Sequence, residues 1–339
     1  MTSLMEQTLA PATRTATLLE LRGLAVDYGS ARAVDGVDLE IHAGEIVGLA
    51  GESGCGKSTL ANAAMQILPP TAHVSGGSVL FNGEDLVGKS REELRRFRWR
   101  NVSMVFQSAM NALNPVARVG DQFLDMMRAH ERISKQQALA EAGELLELMC
   151  IDRRRIRAYP HELSGGMRQR VIIAMALALE PELVILDEPT TALDVVVQRE
   201  ILQQVQDLQR ERQFAILFIT HDLSLLLETA NRIAIMYAGE IVESAPAVRL
   251  AGHPLHPYTQ GLLASFPPLR GPRKRLKGIG GAPPDLRNPP SGCRFHPRCP
   301  ECLPERLGLY HRQISERPVL REVEPSHFVA CHLVDGAPT

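Results

Sequence analysis

Residues 51–58 read G-E-S-G-C-G-K-S, and no other stretch of the chain narrows its fold so far. Gly51, Gly56, Lys57 and Ser58 fill every fixed position of the pattern G-x-x-x-x-G-K-[ST]. The pattern works only where a strand runs into it and a helix leaves it. Both flanks comply: residues 45–50 are a short apolar run of strand length, and residues 57–68 read as a helix halted by Pro69 and Pro70. Glycines at 51, 54 and 56 let the backbone wrap closely, so that successive N–H groups from Ser53 to Thr59 point at phosphate oxygens. Lys57 is placed to neutralise the β- and γ-phosphates of a nucleotide, and Ser58 to ligate Mg²⁺. Cys55 fills a free position and reads as a small residue, not a redox switch.

The complement lies at residues 183–188, where four apolar residues end in Asp187 and Glu188. In open α/β sheets ligands bind at the carboxyl edge of the strands. Asp187 is therefore expected to hold Mg²⁺, and Glu188 to polarise an attacking water as general base. Residues 215–219 form a second continuous apolar run, as strands covered on both faces of a parallel sheet do. Residues 195–212 between these runs have helical periodicity. Ser134 and Gln137 make a capping box for an amphipathic helix through Met149, with Ala138, Ala142 and Leu145 on its apolar face. The expectation is an α/β core with a β-rich opening and a helical insertion at about 110–165.

Composition sets the outer bounds. Apolar residues make up 45% of the 339 residues and charged residues 22%, ample for a core and unlike a disordered or fibrous chain. A net charge of −2 does not announce a nucleic-acid binder. No apolar run approaches the ~20 residues of a membrane span, and residues 171–179 are stopped by Glu180 and Pro181. The first basic residue is Arg14 and no apolar core follows it, so no secretory leader is expected. Residues 1–17 read as a loose tail. Composition shifts near 250, where Pro, His, Arg and Cys become frequent and periodicity fades, which places an expected boundary between a domain at 18–250 and an extension at 251–339.

Residues 163–170 read L-S-G-G-M-R-Q-R, and here the chain resembles the ATPase subunits of ATP-binding cassette (ABC) transporters. The resemblance spans about residues 18–250 and implies a P-loop NTPase cassette that hydrolyses ATP with Mg²⁺. It assigns further positions one at a time. Tyr28 would stack on adenine, Gln107 would sense Mg²⁺ and the membrane subunits, and His221 would contact the γ-phosphate. Asp194, closing the T-A-L-D run at 191–194, would link two ATPase subunits. Ser164 and Gly166 would face a nucleotide held by another chain, because Ser164 can N-cap a helix whose positive end suits a γ-phosphate. Two cassettes, copies or paralogues, would then close head-to-tail over two ATP molecules.

A narrower likeness follows residue 250. His256, Pro257, Tyr258 and Thr259, then residues 262–265 and 292–300, resemble the extension of oligopeptide and dipeptide importer ATPases. That subgroup implies two transmembrane permease subunits, an extracytoplasmic substrate-binding protein, and a place on the cytoplasmic face of the membrane. Importers of nickel and oligosaccharides share parts of the extension, so those cargoes stay open, as does a soluble ABC ATPase outside transport. The subgroup's cysteines bind an iron–sulfur cluster, which implies a [4Fe-4S] centre on Cys293, Cys299, Cys302 and Cys331. The residues alone suit Zn²⁺ as well, with His296 or His332 replacing one thiolate. The basic run at 89–100 reads as a solvated helix face or as a partner-docking surface.

Overall fold

The computed structural model describes residues 16–107, 112–189, 194–265 and 278–334. Two long strands, β1 (Thr17–Tyr28) and β2 (Ala31–His42), open the chain as an antiparallel pair. Next come β3 (Ile46–Ala50), the glycine loop and α1 (Lys57–Ala64). Strands β4 (Ala72–Phe81) and β5 (Glu84–Asp85) then complete a four-stranded sheet in the order β2-β1-β4-β5. Helix α2 (Arg91–Phe97) leads to β6 (Val102–Val105), and α3 (Val119–His130) and α4 (Lys135–Leu148) form the helical insertion. The chain returns through α5 (Gly165–Leu177), β7 (Leu183–Asp187), α6 (Val195–Arg212), β8 (Ala215–Ile219), α7 (Leu223–Thr229), β9 (Arg232–Tyr237) and β10 (Glu240–Pro246).

Strands β3, β7 and β8 are buried along their whole lengths, as their unbroken apolar runs require in a parallel sheet with both faces covered. β6, β7, β8, β3 and β9 run parallel, and this places the carboxyl ends of β3 and β7 on one edge beside the glycine loop. α4 has the expected capping box, with Ser134 Oγ accepting from the Gln137 N–H at 3.2 Å. One expectation differs. α1 ends at Ala64 rather than 68, because Gln66 turns into the left-handed region (φ 51°). The Arg98 guanidinium then takes the Met65 carbonyl at 3.0 Å and the Gln66 carbonyl.

Helix α8 (Ala247–Gly252) spans residue 250, where sequence periodicity fades, and beyond it the structure has α9 (Pro257–Ala264), α10 (Leu307–Ser315), β11 (Arg321–Glu324) and β12 (His327–Val329). β12 pairs with β10, so the main sheet runs from the cassette into the extension in the order β11-β12-β10-β9-β3-β8-β7-β6. Such short strands carry almost no sequence signal. A buried carboxylate pins them instead: Glu243, fully enclosed, accepts from Leu255 N (2.7 Å) and His256 N (3.0 Å), and meets His327 Nε2 at 2.7 Å. Arg294 adds ion pairs to Asp35 and to Glu240, the latter at 2.8 Å.

This network has a pH consequence. His256 Nδ1 accepts from the Tyr258 N–H at 3.0 Å, so the ring must stay neutral. Burial, only partly opposed by Glu243, pushes its pKa down from 6.5 to about 4. The folded state thus disfavours the charged ring, and the stabilisation present above about 6.5 is lost as pH falls towards about 4. At about 1.4 kcal/mol per unit the loss is about 3 kcal/mol. Burial would also raise Glu243, but hydrogen bonds led by His327 outweigh it and hold the carboxylate below its ordinary range, so its share is lost at still lower pH. Thermal melts between pH 7 and 4.5 should show a steep decline that His256→Gln flattens. An equal slope in both proteins would remove His256 from this role.

Candidate nucleotide site

The glycine loop is pressed between β2 and β9. A Cβ on Gly51 (φ 154°) would lie 2.1 Å from the Met236 carbonyl oxygen, and one on Gly56 (φ 110°) 2.3 Å from that of Ala33. Backbone sits where a side chain would be, so only glycine fits. Lys57, 6% exposed, donates from Nζ to the carbonyls of Gly51 (2.7 Å) and Glu52 (3.0 Å). A cavity of about 210 Å³ opens here, lined by Ser53, Gly54, Gly56, Lys57, Ser58, Thr59, Gln107 and Glu188 together with Ala33. The glycine-loop residues thus share one space with two residues from far downstream in sequence.

Asp187 ends β7 at 4% exposure. Burial raises its pKa, with a hydrogen bond from Ser58 and the Lys57 charge opposing and Glu188 reinforcing the shift. Its Oδ1 is buried without a hydrogen-bond partner. A carboxylate oxygen so placed beside a serine hydroxyl fits a hard cation, and Ser58 and Asp187, with Gln107 nearby, are the residues that would hold Mg²⁺. Bound there, the ion would neutralise phosphate charge.

Glu188 has φ 47°, a conformation rare for any residue but glycine and costing on the order of 1–2 kcal/mol. Its N–H donates to the Ile219 carbonyl at 2.9 Å, tying the turn to the end of β8. This geometry delivers the carboxylate to Gln107 Nε2 at 2.9 Å (Oε2) and to His221 Nδ1 at 3.2 Å (Oε1). Three residues from three loops at the sheet edge therefore meet, as polarising a water would require.

Tyr28, Ser164, Gly166 and Asp194 do not line this cavity. Tyr28 is half-buried at the end of β1. Ser164 caps α5, its hydroxyl accepting from the Met167 N–H at 3.3 Å. Asp194 caps α6, accepting from the Val197 N–H at 3.0 Å. The two caps are neighbours, since a Cβ on Gly166 would come within 2.8 Å of Val197 Cγ1. Residues 191–193 of the expected linking loop lie outside the described residues.

Cys293 and Cys331 are buried, and Cys299 and Cys302 are half-buried. Burial pushes Cys293 up to about 12; a Phe295 backbone hydrogen bond opposes this, and nearby Cys331 and Cys299 add to it. Yet among the described residues no group of three or more His, Cys, Asp or Glu side chains is arranged to hold a metal ion. The thiols neighbour one another without closing a ligand set. His296 Nδ1 and His332 Nε2 are turned to the carbonyls of Cys293 (3.0 Å) and Glu316 (2.8 Å).

Sequence reasoning missed the polar groups that reach the glycine loop from the extension. Arg298 pairs with Glu52, and the Tyr258 hydroxyl accepts from the Glu52 N–H at 2.9 Å. Glu52 occupies a free position of the loop motif and Arg298 follows it by 246 residues, so no local pattern connects them.

Solved structures of the same architecture exist. The dimeric MJ0796, a bacterial ABC transporter cassette, matches with a TM-score of 0.61 at 27% identity over 68% of this chain and 99% of that one. The same cassette in a post-hydrolysis state with ADP and Pi matches with a TM-score of 0.61 at 28% identity, over 68% and 99%. Fold and site together define an ATP-hydrolysing cassette of the ABC class.

The relatives sharpen this. Residues 34–191 match the family described as ABC transporter, and residues 242–305 that described as oligopeptide/dipeptide transporter, C-terminal region. A probable peptide ABC transporter ATP-binding protein of Sinorhizobium fredii is 45% identical over 93% of this chain and 94% of its own length. The oligopeptide transport ATP-binding protein OppD of Bacillus subtilis is 43% identical over 95% and 90%. The chain belongs to the ATP-binding proteins of ABC transporters, in the branch that carries the oligopeptide/dipeptide C-terminal region.

Proposed function

We propose that this chain is the ATPase subunit of a peptide importer, bound at the cytoplasmic face of the membrane to two permease subunits, with an extracytoplasmic binding protein delivering cargo. The carrying observation is that relatives named for peptide, oligopeptide and dipeptide transport match cassette and extension together over nearly their whole lengths. Among the described residues no helix is long and apolar enough to cross a membrane, so passage of the cargo falls to other chains. A groove beside the basic run, lined among others by Phe81, Lys89, Arg96, Arg100 and His130, supports permease docking there. Reconstitution with two partner permease subunits should give ATP-dependent uptake of labelled peptides. Uptake of nickel or an oligosaccharide instead would overturn the cargo, and failure to bind permeases would favour a soluble ABC ATPase.

In this reading Lys57 and the loop amides hold the phosphates, Tyr28 stacks on adenine, Glu188 takes a proton from the attacking water, Gln107 senses Mg²⁺ and the permeases, and His221 contacts the γ-phosphate. Ser164, Gly166 and Asp194 serve the nucleotide of a second cassette, a copy or a paralogue. Val195 and Val196, exposed at the start of α6 beside the Asp194 cap, support that division. Ser164→Arg should then leave ATP affinity of the isolated chain unchanged while abolishing ATP-driven dimerisation, read by sedimentation. Collapse of monomer affinity would contradict the assignment in trans.

The subgroup likeness also supports a metal centre on Cys293, Cys299, Cys302 and Cys331, whose thiols would have to close together on loading. Iron and sulfide analysis after anaerobic purification tests it. Four irons with matching sulfide would support a [4Fe-4S] centre, and one zinc without iron would replace it.

A further inference from the structure

Glu52 is held on every polar group it has. Arg298 grips its carboxylate with both arms of the guanidinium, Nη1 to Oε2 at 2.6 Å and Nη2 to Oε1 at 2.9 Å. The Tyr258 hydroxyl takes its N–H at 2.9 Å, and Lys57 Nζ takes its carbonyl at 3.0 Å. Arg298 is itself fixed. Its Nε donates to the Gly280 carbonyl at 2.8 Å, its guanidinium carbon lies 5.8 Å from the centre of the Tyr237 ring, and its side chain is 5% exposed. Tyr258 is fully buried and packs on Tyr237 (4.6 Å between ring centres) and Phe295 (5.4 Å). Both contacts cross from the extension to the phosphate loop, and Arg298 stands next to Cys299.

A phosphate loop binds through the direction of its backbone N–H groups, so small errors in loop position weaken every contact at once. Backbone hems in Gly51 and Gly56, but nothing lies within 4 Å of where a Cβ on Gly54 would stand. A bidentate, half-buried guanidinium–carboxylate pair supplies a further restraint, with a planar geometry that a lysine ammonium does not reproduce. Resting on the reading of the cavity as an ATP site, we propose that Arg298 and Tyr258 are positioning residues for the phosphate loop, and that the extension thereby sets the chain's affinity for ATP. Neither side chain lines the cavity. Rearrangement of the segment around Cys293 and Cys299 would reach the ATP site through Arg298.

The test is fluorescent ATP-analogue titration, with steady-state ATPase assays, on the full-length chain and its variants. Arg298→Ala and Glu52→Gln should each weaken ATP binding about tenfold and raise KM in parallel, with kcat changed less than about twofold. Arg298→Lys should fall between. Because the two residues act through one contact, the double variant should be no weaker than either single one. Tyr258→Phe, which removes only a hydroxyl, should give a smaller loss of the same kind. Arg287→Ala, breaking an exposed pair with Asp285 in the same extension, should leave affinity unchanged. Glu52→Gln and Tyr258→Phe preserve shape, so they decide the matter even if Arg298→Ala folds poorly. Wild-type affinity in both, or additive losses in the double variant, would overturn the clamp alone. Absence of ATP binding by the unsubstituted chain would overturn the ATP-site reading with it.

Discussion

Glu188→Gln should bind ATP with near-normal affinity and hydrolyse it ~10²–10⁴-fold more slowly, the usual contribution of a general base. The amide keeps the shape of the side chain and its hydrogen bond to the Gln107 side chain, which spans 2.9 Å. It cannot accept a proton from water at neutral pH. The backbone turn that aims the residue is held by the bond from Glu188 N to Ile219 O, which no side-chain change touches. Binding and chemistry should therefore separate. Single-turnover hydrolysis in the assembled transporter, compared with equilibrium ATP binding, measures both. Turnover near the wild-type rate would take the base role from Glu188.

Lys57→Ala should do the reverse and weaken ATP binding itself by roughly 10- to 100-fold, the scale of one or two hydrogen bonds from a charged donor. Lys57 is nearly buried, and its ammonium already organises the loop by donating to the carbonyls of Gly51 and Glu52 at 2.7 and 3.0 Å. Alanine removes a phosphate-facing cation and leaves two loop carbonyls without that donor. The same titration reads the effect, and an unchanged dissociation constant would refute the phosphate-loop assignment. Together the two variants would separate the proposed phosphate-holding role of Lys57 from the proposed proton-transfer role of Glu188.

Much of this site is legible in the amino-acid sequence, because its parts are local. The glycine loop is eight consecutive residues whose spacing is covalent, and the strand before it and the helix after it follow from short-range preference. The run ending in Asp187 and Glu188 is legible for the same reason. So is α6, whose bounds at 195 and 212 coincide with its apolar periodicity. The family resemblance rests on such contiguous stretches and extends their meaning to Tyr28, Gln107 and His221, which alone say little.

What only the tertiary structure decided depends on packing between distant segments. Gln107, Glu188 and His221 meet because parallel strands β6, β7 and β8 are neighbours and end on one edge. β12 exists as a strand only because β10 offers it an edge and His327 meets the buried Glu243 carboxylate. α1 stops short of Pro69 at the left-handed turn of Gln66, and Arg98, from after α2, takes the carbonyls beyond its last turn. The grip of Arg298 on Glu52 joins residues that no helical or strand period relates. Local spacing carries chemistry that the backbone itself performs, such as cradling a phosphate. Partners for buried charges are chosen by which apolar surfaces pack together, and that is settled only when the whole chain is folded.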